Sequence, residues 1–78
     1  MASKTHRLLN FRKNLAFMVE TNIDYVPMNN QTQFNLVLKN GETVAFYPST
    51  NKWVHNSKVY YGNAEKMWDW VGMMDEAD

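Results

Sequence analysis

The sequence contains no cysteine, which excludes a disulfide framework and every thiolate metal site. It has only two histidines, His6 and His55. They lie far apart and give no metal-ligand spacing, so neither a metal nor a cofactor is expected. Glycine is scarce: Gly41, Gly62 and Gly72 are isolated, and no glycine-rich loop exists to cradle a phosphate. Net charge is absent too, with 8 Lys plus Arg against 8 Asp plus Glu. That removes both a whole-domain basic footprint for nucleic acid and the strong acidity of a DNA mimic. No apolar run approaches the ~20 residues needed to span a membrane. Residues 1 to 19 form no secretory signal, because Lys4, Arg7, Arg12 and Lys13 interrupt them. The expected setting is a reducing cytoplasm. At 78 residues the chain is one domain's worth. A domain this short buries only about 60% of its unfolded surface, which leaves little room for a deep catalytic cleft.

What is present suits a small folded domain, with hydrophobic residues at 45% and charged residues at 21%. Charge is segregated along the chain. Four basic residues and no acid precede position 20, whereas Glu65, Asp69, Asp75, Glu76 and Asp78 face Lys66 alone at the other end. Either one end engages a charged partner, or two amphipathic helices with solvated faces account for this pattern. The first is predicted from about Lys4 to Glu20, with Leu8, Phe11, Leu15, Met18 and Val19 as its apolar stripe. Ser3 or Thr5 serves as its cap, and Thr21 and Asn22 end it. Leu9 and Phe17 fall off the stripe, either widening the buried face or forming an exposed contact. The last helix opens at Asn63, a good N-cap, with Glu65 in its first turn and Ala64, Met67, Trp68, Val71 and Met74 as its stripe. Gly72 is expected to fray it early, leaving Asp75 to Asp78 as a flexible acidic tail.

Between the helices the pattern alternates. Ile23 to Val26 suggests a short strand that Pro27 ends or confines to an edge, because proline cannot donate to a ladder. Gln33 to Lys39 places Phe34, Leu36 and Leu38 on one face, and Asn40-Gly41 supplies a hairpin turn. As a two-residue loop, that turn pairs Lys39 with Glu42, Leu36 with Ala45 and Phe34 with Tyr47. Val37, Val44 and Phe46 then fall on the opposite face. Lys52 to His55 reads as a third strand, and Lys58 to Tyr61 extends the sheet. The expected fold is a single small α+β domain spanning 1–78. It has a three- or four-stranded antiparallel sheet packed by an N-terminal and a C-terminal helix, in α-β-β-β-α order.

Catalysis is poorly supplied. His6 and His55 are the available bases, both in polar neighbourhoods and outside any recognisable motif, so no catalytic residue is expected. Aromatic residues are plentiful instead. Adjacent rings at Phe46-Tyr47 and Tyr60-Tyr61 point to opposite faces of an extended strand, so one ring of each pair is a candidate surface contact. Tyrosine and tryptophan are favoured at protein interfaces. Tyr47, Trp53 and Tyr61 are therefore the candidate contacts, with Lys52 and Lys58 steering. With basic residues interleaved, the same rings are stacking platforms for single-stranded nucleic acid.

The order helix–strand–strand–strand–helix is similar to that of a double-stranded RNA-binding domain. That family has a lysine-rich motif at the start of its last helix, whereas Asn63-Ala64-Glu65-Lys66 offers one lysine and one acid. The run from Asn40 to Trp53, which includes Phe46-Tyr47-Pro48-Ser49 and Lys52-Trp53, and then Gly62 before a closing helix, covers about a third of the chain. It resembles small uncharacterised proteins encoded by bacteriophages and prophages. The resemblance implies a phage accessory setting. The function read from the chain is a non-enzymatic interaction protein that binds and modulates a host protein in the host cytoplasm. The alternative is a nucleic-acid-binding module using sheet aromatics and the basic first helix. A homodimer through a partly apolar second sheet face is compatible with either.

Overall fold

The computed structural model describes residues 4–77. The elements run α1 (Lys4–Glu20), β1 (Val26–Met28), β2 (Gln33–Val37), β3 (Thr43–Tyr47), β4 (Lys52–His55), β5 (Lys58–Tyr61) and α2 (Ala64–Ala77). The five strands form one antiparallel meander in the order β1-β2-β3-β4-β5. The α+β layout with terminal helices is as expected, but the sheet has five strands instead of three or four. The difference lies at both edges: β1 begins at Val26 and includes Pro27, and β5 is a full member of the sheet.

Local chemistry explains the boundaries. Asn22 adopts a left-handed conformation (φ 62°) at the end of α1. Ile23 N–H then bonds Met18 C=O at 2.9 Å and Asn22 N–H bonds Val19 C=O at 3.1 Å. This is a Schellman cap, and its hydrophobic pair, Met18 and Ile23, enters the core. Ile23 is thus a core residue in a loop, not the start of a strand. Thr5 lies inside the helix, and Ser3 lies outside the described residues. At α2, Lys66 N–H donates to Asn63 Oδ1 at 2.9 Å, the N-cap expected from the sequence. The helix continues past Gly72 through Ala77, so residues 75–77 are helical where a loose tail was expected. Asp75 is half-buried and accepts the Lys39 N–H at 3.0 Å, which ties α2 to the β2–β3 loop. Asp78 lies outside the described residues.

The β2–β3 register differs by one residue from the expectation. Phe34 pairs with Phe46, Leu36 with Val44 and Val37 with Thr43. The loop is Lys39-Asn40-Gly41: Leu38 N–H bonds Glu42 C=O at 2.8 Å and Gly41 N–H bonds Leu38 C=O at 2.9 Å. Gly41 has φ 91°, a left-handed conformation that only glycine adopts at no steric cost. A one-residue slip moves a strand's whole set of side chains to the other face. Val44 and Phe46 therefore join Phe34, Leu36 and Leu38 against the helices, and Lys39 does not face Glu42.

Both helices cover the same face of the sheet. The core comprises Phe34, Leu36, Leu38, Val44, Phe46 and Trp53 from the sheet side, with Met18 from α1 and Ala64, Met67 and Val71 from α2. Phe11 of α1 packs on Phe34 with ring centroids 5.9 Å apart, and Trp70 of α2 packs on Trp53 at 5.9 Å. Of the expected α1 stripe, Leu8 and Val19 are exposed. Asn14 is buried in their stead. Its Nδ2 donates to Pro48 C=O at 2.7 Å and to Asn51 Oδ1 at 2.8 Å, and its Oδ1 accepts the Ala64 N–H at 2.9 Å. One carboxamide thus joins α1, the β3–β4 loop and the first turn of α2.

Candidate interaction surface

The strand positions facing away from the helices form a second surface that no described element covers. One cross-strand row is Val26–Asn35–Ala45–Val54–Val59. The next contains Tyr47–Lys52–Tyr61. Neighbouring strands stand about 4.8 Å apart, so the two tyrosines flank Lys52 across roughly 10 Å. Lys52 Nζ sits 5.3 Å from the centre of the Tyr47 ring, a cation–π contact that holds both side chains across the strands. Tyr61 is 75% exposed, and Val26, Met28, Val37 and Val59 are exposed with it. A depression of about 310 Å³ opens at the β1–β2 edge of this face, bordered by Asp24, Tyr25, Val26, Asn35 and Val37. Among the strand positions of this face, Lys52 is the single basic side chain.

Of the five candidate contacts, Tyr47, Lys52 and Tyr61 come together in that one row. Trp53 does not join them. It is 4% exposed and lies against the helices, stacked on Tyr60 at 5.6 Å with the rings 11° from parallel. Period-2 alternation sends Trp53 to the face opposite Lys52, so its ring is core and not contact. Lys58 is exposed but pairs with His55, on the helix side of edge strand β5.

Two polar sites were not recognised from the sequence. The first surrounds His55, which is buried against the edge of Trp70, 5.1 Å away. His55 Nε2 lies 2.9 Å from Glu42 Oε1; a carboxylate only accepts, so the ring nitrogen donates. Asn40 Nδ2 donates to the same oxygen at 2.9 Å and Asn56 Nδ2 to Glu42 Oε2 at 3.2 Å. These bonds, Asn40's foremost and then those of His55 and Asn56, hold the Glu42 carboxyl below its ordinary value of 4.5. The cluster is an acid and a base bonded to each other, the acid held also by two amides, and it ties the β2–β3 turn to the β4–β5 turn.

The second is a cleft of about 330 Å³ between α1, the β3–β4 loop and the start of α2, lined by Asn10, Lys13, Asn14, Phe17, Asn51 and Glu65 among others. Its floor is the Asn14 junction. The available signal was positional: Asn10, Asn14 and Met18 follow a four-residue spacing, which puts two amides on a helix face otherwise turned to the core.

Among the described residues, no group of three or more His, Asp or Glu is arranged to hold a metal ion. Nor is any described helix long and apolar enough to cross a membrane. Comparison with protein-family models, curated proteins and solved structures finds no match to this chain.

Proposed function

We propose that this chain is a non-enzymatic protein-binding module whose contact surface is the open face of the sheet, centred on Tyr47, Lys52 and Tyr61. One observation carries the reading. Both helices pack on the same side, so the other side of a five-stranded sheet is left with exposed Val26, Met28, Val37, Val59 and Tyr61 and, among the described residues, no element over them. Exposed apolar side chains of this kind, with aromatic rings among polar positions, fit a protein partner. Tyr61 is the most accessible anchor, and the depression beside Val37 has room for a partner's side chain.

A nucleic-acid partner is the competing reading, because ring, cation and ring alternate along one row. It requires several cations to neutralise phosphates. The open face supplies Lys52, whereas Arg7, Arg12 and Lys13 belong to α1, behind the sheet. Electrostatics therefore favour the protein partner. The resemblance of the Asn40–Trp53 stretch to phage-encoded proteins sets the reading in a host cytoplasm, with a host protein as the target.

The test is affinity capture from a bacterial lysate at physiological salt, with the wild type and the Tyr47→Ala/Tyr61→Ala double variant side by side. Proteins retained by the wild type and lost by the variant support the reading. Equal recovery by both, or no recovery above background, counts against it. So does tight, steeply salt-dependent binding of oligonucleotides to Tyr47 and Tyr61.

A further inference from the structure

The two edges of the sheet are finished differently. Antiparallel ladders alternate between residues whose backbone groups face one neighbour and residues whose groups face the other. The Leu38–Glu42 bond sets the phase. Phe34 and Leu36 then turn their N–H and C=O groups to β3, and Gln33 and Asn35 turn theirs to β1. Val26 and Met28 pair with β2, which leaves Pro27 as the β1 residue aimed outward. Proline has no N–H to offer there. Edge β1 is thus three residues long and lacks its one outward donor, two devices that keep an edge from pairing.

Carried the other way, the same phase turns Ala45 and Tyr47 to β4, and Trp53 and His55 to β5. The Gly62 N–H to Asn51 C=O bond of 2.9 Å agrees with it. So does the tight turn at Asn56-Ser57, whose φ values of 50° and 67° join His55 and Lys58 as a bonded pair. Lys58 and Tyr60 therefore bond to β4, while Val59 and Tyr61 direct their N–H and C=O groups to solvent. This edge has no proline. Its outward backbone groups belong to the two β5 residues whose side chains are most exposed on the open face, Val59 at 48% and Tyr61 at 75%.

We infer that β5 is the interface of a homodimer, in which it pairs antiparallel with β5 of a second copy about a two-fold axis through Tyr60. Val59 then stands opposite the partner's Tyr61, and Tyr61 opposite the partner's Val59. This register satisfies every outward backbone group of both residues on both strands. It also sets a β-branched side chain against an aromatic one, a favoured cross-strand pair. Lys58, the one charged residue of β5, meets Gly62 and not another lysine. An isologous contact needs such self-complementarity. The occupant is a second copy because growth must stop: the ten-stranded sheet ends on β1 at both sides, and Pro27 guards each end. The two open faces also become one continuous surface.

Light scattering and sedimentation of the full chain, from micromolar to millimolar concentration, test this. The expected mass is twice the 9.2 kDa of one chain. Val59→Pro removes an outward N–H without touching the β4–β5 ladder, and Val59→Lys adds a charge on the face beside the edge. Both are expected to give the single-chain mass with an unchanged far-UV spectrum. Amide exchange of the wild type reads the same contact without a substitution: Val59 and Tyr61 amides are protected at high concentration and lose protection on dilution, while Lys58 and Tyr60 stay protected. A single-chain mass throughout, or fast exchange at Val59 and Tyr61 in a dimer, overturns the inference. Assemblies that grow beyond two copies overturn the role given to Pro27.

Discussion

Replacing Asn14 tests the architecture at one atom group. Its carboxamide is 3% exposed and makes three hydrogen bonds, to Pro48 C=O, Asn51 Oδ1 and Ala64 N–H. A net bond contributes about 1 kcal/mol, and a buried backbone group left without its partner costs ~1–3 kcal/mol in its place. Asn14→Ala loses the Asn51 bond and strands the Ala64 N–H and the Pro48 C=O together, so the expected loss is about 3–7 kcal/mol. A 78-residue domain has in total about 4–12 kcal/mol to lose. At about 4–8 °C per kcal/mol, the thermal midpoint should fall by about 12 °C or more. Asn10, one turn earlier, makes a single 3.2 Å bond to Ser49 C=O, and Asn10→Ala should cost only about 0.5–1 kcal/mol. Asn14→Asp separates the roles. The carboxylate still accepts from Ala64 N–H but cannot donate to Pro48 or Asn51, so the variant is strongly destabilised at neutral pH. Its deficit relative to wild type should shrink in acid, where a protonated carboxyl regains a donor. Urea unfolding followed by tryptophan fluorescence measures all three. Equal effects of Asn14→Ala and Asn10→Ala, or an Asn14→Asp protein as stable as wild type at neutral pH, would refute the reasoning.

The Glu42 cluster predicts an acid limb. Because its folded carboxyl titrates below 4.5, its contribution is fully present above that pH and is lost as pH falls through the lowered value. Glu42→Gln should flatten that part of the pH–stability profile while leaving its neutral-to-alkaline part in shape. Gly62→Ala should destabilise by about 1–3 kcal/mol in urea unfolding, because overpacking is costly. A β-carbon there would meet Lys66 Cβ at 2.9 Å and Trp53 Cζ3 at 3.1 Å. Trp53→Ala should cost about 3–5 kcal/mol, the loss usual for a buried aromatic, while Tyr61→Ala, measured at dilution where the chain is single, stays within about 0.5 kcal/mol of wild type. Comparable losses at the two positions would mean that the two sheet faces are assigned the wrong way round.

The helices and most strands were legible because their signals are local. Asn22 and Asn63 are cap residues whose side chains or conformations do the expected work, and Pro27 is on an edge as its missing N–H demands. The error at the β2–β3 hairpin came from a dipeptide that serves two loops equally. Asn40-Gly41 supplies a left-handed glycine both to a two-residue turn and to the Lys39-Asn40-Gly41 turn found here. The binary pattern held the answer: aligning Val44 and Phe46 with Phe34, Leu36 and Leu38 collects the apolar residues on one face and leaves Thr43, Ala45 and Tyr47 on the other. Trp53 reads as a contact on residue type alone, whereas its pairing with Phe46 and Tyr60 puts it on the core face. Asn14 was overlooked because a buried amide is worth nothing until its distant partners, Pro48, Asn51 and Ala64, are assembled around it. The surface row Tyr47–Lys52–Tyr61 was visible only as composition; its geometry needed three strands in register.

The most direct test of the account is site-specific photo-cross-linking in bacterial cells, with a photoreactive residue placed at position 37 or at position 73. Val37 is 69% exposed on the open face and away from the β5 edge, whereas Met73 is 63% exposed on α2. The account predicts a discrete adduct with another protein from position 37 and none from position 73. Adducts from position 73 alone, or from neither position, would contradict it.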